Sequence, residues 1–247
     1  MKTEIYTIPI QDAFAEASEC PVCRMYQKLE ENAINYTIGP GASYMEGDIR
    51  EQSDEQGFCQ KHLEMLYEYP NKLGLAMMLK THMDKTAKEL KKAMKAPLPQ
   101  SAGLFRKKSQ TVHPVITFVE EKEKKCFVCD YINHSFTNYI NTIYYLYEKE
   151  EDFRRQFAAS KGFCVNHYKV LFSGAPEYMG KKYLNEFLMT LNETFINGYE
   201  RVRDDLEWFI CKNDYRYKEQ PWKNARDALQ RGLVKAGSIM EAEEKKE

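Results

Sequence analysis

Glu19-Cys20-Pro21-Val22-Cys23 and the run Gly57-Phe58-Cys59-Gln60-Lys61-His62, whose Cys59 follows Cys23 after 35 intervening residues, are the stretches that organise this chain. The pattern returns as Cys126-Phe127-Val128-Cys129 and Gly162-Phe163-Cys164-Val165-Asn166-His167, with 34 residues intervening between Cys129 and Cys164. Six of the seven cysteines fall in these two sets. The neighbours repeat as well: Leu63, Leu66 and Tyr67 follow His62 at the offsets where Tyr168, Leu171 and Phe172 follow His167. Shared spacing with shared flanks marks an internal duplication.

Within each copy the apolar period is helical. Val22, Tyr26, Leu29, Ala33 and Tyr36 step by fours and threes, which lays them along one face of a helix. Pro21 suits the first turn of that helix, and Gly39-Pro40-Gly41 ends it. The second copy carries Val128, Ile132, Phe136, Tyr139, Ile143 and Leu146 in the same way. The pattern predicts long helices over Lys72–Lys95 and Glu177–Cys211, and a further one over Pro221–Lys235. No alternating strand pattern is present, so the expected fold is all-α, an internally duplicated helical protein. Its first repeat is expected over residues 1–95 and its second, with a C-terminal helix, over 115–236. Residues 96–114 gather Pro, Gly, Ser and basic residues and read as a linker, and the charged residues 237–247 read as a disordered tail.

Composition narrows the class. With 247 residues, 30% of them charged and a formal net charge of -1, the chain has the make-up of a folded globular protein. That charge gives no global attraction to nucleic acid or anionic membrane. No apolar run suits a signal peptide or a membrane span, so a cytoplasmic location is expected. In that compartment thiols stay reduced, and cysteines at fixed spacing point to metal binding or redox chemistry.

Three thiolates and an imidazole form a tetrahedral zinc set. Each pair stands at i and i+3 around a helix start, where both donors face one point and the helix dipole favours thiolate. Two zinc ions are therefore expected. A self-contained repeat is the simpler arrangement, placing Cys20, Cys23, Cys59 and His62 in one site and Cys126, Cys129, Cys164 and His167 in the other. The crossed pairing, CxxC of one half with CxxH of the other, is the alternative. Closed four-ligand sets point to structural sites, and no P-loop, dinucleotide fingerprint, HExxH or nucleophile elbow is present, so the reading leans away from an enzyme.

Other readings stay open. Three Cys and one His also ligate iron–sulfur clusters. The same thiolates suit a redox or metal sensor. Lys85, Lys88, Lys91, Lys92, Lys95, Arg106, Lys107 and Lys108 form a basic stretch that suits either a nucleic-acid phosphate backbone or a solvated helix face. Tyr131, Phe136, Tyr139, Tyr144, Tyr145 and Tyr147 crowd one helix, as core or as an interface for a protein partner or self-association. His82, His134 and Cys211 fall outside the repeat pattern and read as ordinary helix residues and an idle thiol.

Taken as a set, YTIPIQDAF, ECPVC, GFCQKH, CFVCD and GFCVNH resemble a bacterial family, the domain of unknown function 6062 family. The resemblance runs to about residue 210 and implies paired metal-ligand motifs in a helical bacterial protein. It implies no reaction.

Overall fold

A computed structural model of the chain describes residues 4–41, 43–98 and 112–237. Most of the expected linker, the basic residues Arg106, Lys107 and Lys108, and the expected tail beyond Gly237 lie outside the described residues. The described residues form eleven α-helices and no strand. In chain order these are α1 (Glu4–Ala15), α2 (Pro21–Ile38), α3 (Gly47–Gln56), α4 (Gln60–Glu68), α5 (Lys72–Ala93), α6 (Pro114–Glu123), α7 (Phe127–Lys149), α8 (Glu151–Ala159), α9 (Val165–Tyr178), α10 (Lys181–Cys211) and α11 (Ala228–Gly237). The duplication is plain in this order: α1 to α5 are answered by α6 to α10, and α11 is extra. No described helix is long and apolar enough to cross a membrane.

The sequence signals act where they were read. Pro21 opens α2, and Gly39, whose N–H donates to the Asn35 carbonyl at 2.8 Å, closes it. Two expected boundaries are corrected. The helix expected from Glu177 starts at Lys181, because Met179 and Gly180 are extended and separate α9 from α10. The helix expected from Pro221 starts at Ala228. The ammonium of Lys212 holds the preceding chain out of helix by donating to the carbonyls of Tyr217, Lys218 and Gln220 at 2.9, 2.7 and 2.5 Å. Trp208 adds a bond from its indole N–H to the Pro221 carbonyl at 3.1 Å.

Two compact units result, and they cut across the repeats. One comprises residues 1–29 with 135–247, the other residues 30–134, so both boundaries fall inside helices, α2 and α7. In the first unit α1 packs on α8, and α8, α9 and α11 pack around α10. Its core is aromatic: Phe157 is fully buried, with the rings of Phe14, Tyr147, Phe163 and Phe187 between 5.0 and 5.7 Å from its own. Of the crowded tyrosines, Tyr139, Tyr144 and Tyr147 are buried, and Tyr131 and Tyr145 are exposed. In the second unit α3, α4 and α6 all pack on α5. Each unit thus contains the N-terminal arm of one repeat and the remaining helices of the other. Truncating the central ring, Phe157→Ala, is expected to cost about 3–5 kcal/mol, read as a lower denaturation midpoint at unchanged slope.

Candidate metal centres

Every proposed ligand pair occupies the same two places on a helix. Cys20, Cys59, Cys126 and Cys164 immediately precede α2, α4, α7 and α9, and Cys23, His62, Cys129 and His167 are each three residues further on. At α7 and α9 the amide of the third residue points at the capping sulfur, whereas Cys59 accepts no such bond at α4. His167 N–H donates to Cys164 Sγ at 3.4 Å and Cys129 N–H to Cys126 Sγ at 3.5 Å. Such a start stabilises negative charge on sulfur through the amide and the helix dipole. Gly57 and Gly162 make the turn into each CxxH helix with φ of 66° and 96°, a region that side chains other than glycine strain to enter.

All eight residues converge, in two groups of four, and the grouping is the crossed one. Cys20 and Cys23 meet Cys164 and His167, while Cys126 and Cys129 meet Cys59 and His62, with the four donor atoms of each group within 4.8 Å of one another. The expectation that each repeat closes its own site is therefore corrected. The reason is helix length. At about 1.5 Å per residue, α2 with 18 residues runs about 27 Å, whereas α3 with 10 returns only about 15 Å. By the same rise, α7 with 23 residues runs about 35 Å and α8 with 9 returns about 14 Å. Neither CxxH is carried back to the start of its own long helix. Each lies instead with the CxxC of the other copy, and each group lies wholly within one compact unit.

The Cys164 tetrad is buried at its sulfurs: Cys20, Cys23 and Cys164 are 0%, 5% and 0% exposed. Nδ1 of His167 lies 3.6, 3.3 and 3.2 Å from the sulfurs of Cys20, Cys23 and Cys164, and Cys23 Sγ is 3.7 Å from Cys164 Sγ. The Phe136 ring packs 5.7 Å from the imidazole. In the Cys59 tetrad, Nδ1 of His62 lies 3.2 Å from Cys59 Sγ and 3.3 Å from each of Cys126 and Cys129, and Cys59 Sγ is 3.9 Å from Cys129 Sγ. These sulfur separations are far beyond a disulfide bond, and all seven cysteines are free.

Charge is shared unequally among the four groups. Burial alone would discharge the His62 imidazole, but its bonds to Cys126 and Glu30 hold its pKa up at about 9. Burial likewise opposes charge on His167, and its bonds to Cys164 and Cys20 also bring it to about 9. Burial disfavours a Cys126 thiolate, yet hydrogen bonds from His62 and the Cys59 and Cys129 amides bring it down to about 6. Cys129 is pushed up to about 12 by burial and by Cys126 and Cys59 beside it. In the other tetrad, hydrogen bonds from Cys20 and Cys23 hold Cys164 well below the usual thiol range.

Two supporting residues escaped the sequence reading. Glu30, on α2, is 2% exposed and takes the outer nitrogen of His62, Nε2, at 3.1 Å, with Lys61 on the same carboxylate oxygen at 2.5 Å. A carboxylate at the fourth residue past Tyr26, inside the apolar stripe, was the available signal. The equivalent position in the second copy, also ten residues past the first cysteine, is Phe136. Lys235, on α11 and 2% exposed, donates to the carbonyls of Glu19 and Lys161 at 2.7 Å each, tying together the segments that lead into Cys20 and Cys164. The Cys59 tetrad makes this tie with backbone, Phe127 N–H to the Gly57 carbonyl at 2.9 Å. Pro21 stands where Phe127 does and has no N–H to offer. His82 is a satisfied helix residue, its Nδ1 at 2.9 Å from the Asp54 carbonyl. Lys88, Lys91 and Lys92 are exposed on α5 and Lys95 just beyond its end, whereas Lys85 pairs with Glu55 at 2.6 Å.

A family described as a family of unknown function (DUF6062) matches residues 1–243, and the chain belongs to it. No curated protein and no solved structure matches the chain. Because a carboxylate on the outer nitrogen orients a histidine ligand and raises its basicity, Glu30→Gln is expected to weaken metal binding at the Cys59 tetrad roughly 10–100-fold. Binding at the Cys164 tetrad should be unchanged; competition titration against a chromophoric chelator reads both.

Proposed function

We propose that the protein holds two zinc ions, one in each tetrad, as closed structural centres that fix four helix starts, and that it acts as a binding or regulatory module in the cytoplasm. The observation that carries this reading is donor spacing. Metal–sulfur bonds of about 2.3 Å and metal–nitrogen bonds of about 2.0–2.1 Å in a tetrahedron set donors about 3.5–3.8 Å apart. The imidazole–sulfur distances and the shortest sulfur–sulfur distances run from 3.2 to 3.7 Å in the Cys164 tetrad and from 3.2 to 3.9 Å in the Cys59 tetrad, and all donors of each tetrad lie within 4.8 Å of one another. One ion fits that space. An iron–sulfur cluster bonds its thiolates to different irons and needs its ligands further apart, so the spacing favours a mononuclear ion. Four protein donors leave no open position for substrate, which favours a structural over a catalytic role. Zinc, when bound, supplies cross-links between helix starts; Glu30 and Lys235 orient the ligands. A partner would be engaged by the surface of the helices the ions hold in place.

Elemental analysis of anaerobically purified protein should find two zinc per chain and no visible absorption. Clearly fewer than two metals per chain, or an absorbing iron chromophore, contradicts the reading. Binding needs thiolates and a neutral imidazole, so it must expel protons. With His62 and His167 held at about 9, zinc uptake at pH 7 releases protons and the affinity falls as pH falls from 9. Calorimetry in buffers of different ionisation enthalpy measures that release, and a buffer-independent heat would contradict it.

A further inference from the structure

The two tetrads share a ligand set but differ in what surrounds it. In the Cys164 tetrad all three sulfurs are buried, and Phe136 packs beside the imidazole, which is the half-buried member of the set. The ligand segments are tied by Lys235, a buried cation from the extra helix α11. Glu19, beside Cys20, is 1% exposed and also bonds Arg201 of α10 at 2.5 Å. In the Cys59 tetrad Cys59 and Cys129 are only half-buried, and they are the pair whose sulfurs lie 3.9 Å apart, on one side of the site. Among the described residues no counterpart of α11 follows α5, and the ligand segments are tied by the Phe127–Gly57 backbone bond, by the half-buried Lys122 donating to the Glu55 carbonyl at 2.7 Å and by the exposed bond from Gln56 to Asp130 at 2.8 Å.

Metal leaves a four-coordinate thiolate site by substitution. An incoming donor bonds the ion as a protein thiolate departs and takes a proton, with no change of oxidation state. The rate therefore depends on whether the donor reaches the ion, which the surrounding shell controls. We propose that the Cys59 tetrad is an exchangeable zinc site, which passes its ion to and from small thiol or aminocarboxylate ligands through the Cys59–Cys129 side, and that the Cys164 tetrad is a permanent one. Glu30 gives the exchangeable site affinity without closing that side, since it bonds the far nitrogen of His62. The inference rests on two zinc ions being bound.

The test starts from full-length protein shown by elemental analysis to carry two zinc. Excess EDTA is added, and protein-bound zinc is measured over time after rapid desalting. Release in two phases of one equivalent each, with rates at least about tenfold apart, is expected from the difference in surrounding shell. N-ethylmaleimide added after the fast phase should label Cys59, Cys126 and Cys129 and spare Cys20, Cys23 and Cys164. Lys235→Met should speed the slow phase and leave the fast one alone; if that variant does not fold, the labelling pattern decides the assignment by itself. A single phase, or labelling of Cys20, Cys23 and Cys164 first, overturns the proposal. Fewer than two zinc at the outset would instead contradict the two-zinc reading.

Discussion

Both tetrads depend on a mismatch of helix length. A long helix follows each CxxC and a helix of about half that length or less leads back toward each CxxH, so neither copy can bring its own four donors to one point. Duplication supplies the remedy. Two copies exchange their N-terminal arms, and each incomplete set of donors is finished by the other. The cores follow the same exchange, since α1 packs on α8 and α6 on α5. Neither repeat is a structural unit alone, although each tetrad sits inside one compact unit.

At the donors themselves, one placement at a helix start is used four times, and at α7 and α9 an amide-to-sulfur bond accompanies it. The capping sulfur and the side chain three residues on face the same point, and the free amides of the first turn favour the thiolate. What differs is the second layer of contacts. A glutamate in one copy and a phenylalanine in the other occupy the same step of the long helix, so one imidazole has a carboxylate behind it and the other a ring beside it. Proline at the first turn of α2 removes a backbone donor that Phe127 keeps, and Lys235 supplies the tie that is missing.

The helices and the eight Cys and His residues that converge were legible because their signals are local. Apolar steps of three and four, Pro21 at a start and Gly39 at an end are read from neighbouring residues. The pairing was not local: the same eight residues serve either arrangement, and the choice turns on how far α3 and α8 travel relative to α2 and α7. Helix lengths read more closely from Gly39 and Gly57 would have favoured the crossed form. The late start of α11 was hidden for a similar reason, since Lys212, far back in the chain, captures the three carbonyls that keep the preceding segment out of helix. Lys235 carried no signal at all, because a lysine in a last helical turn is ordinarily a solvated partner of the dipole.

Metal stoichiometry of two double variants tests the exchange of arms most directly. Cys59→Ser with Cys126→Ser removes two ligands of one tetrad and should leave one metal per chain. Cys20→Ser with Cys59→Ser damages both and should leave none. The reverse result, none for the first pair and one for the second, would show that each repeat closes its own site and would contradict the crossed arrangement.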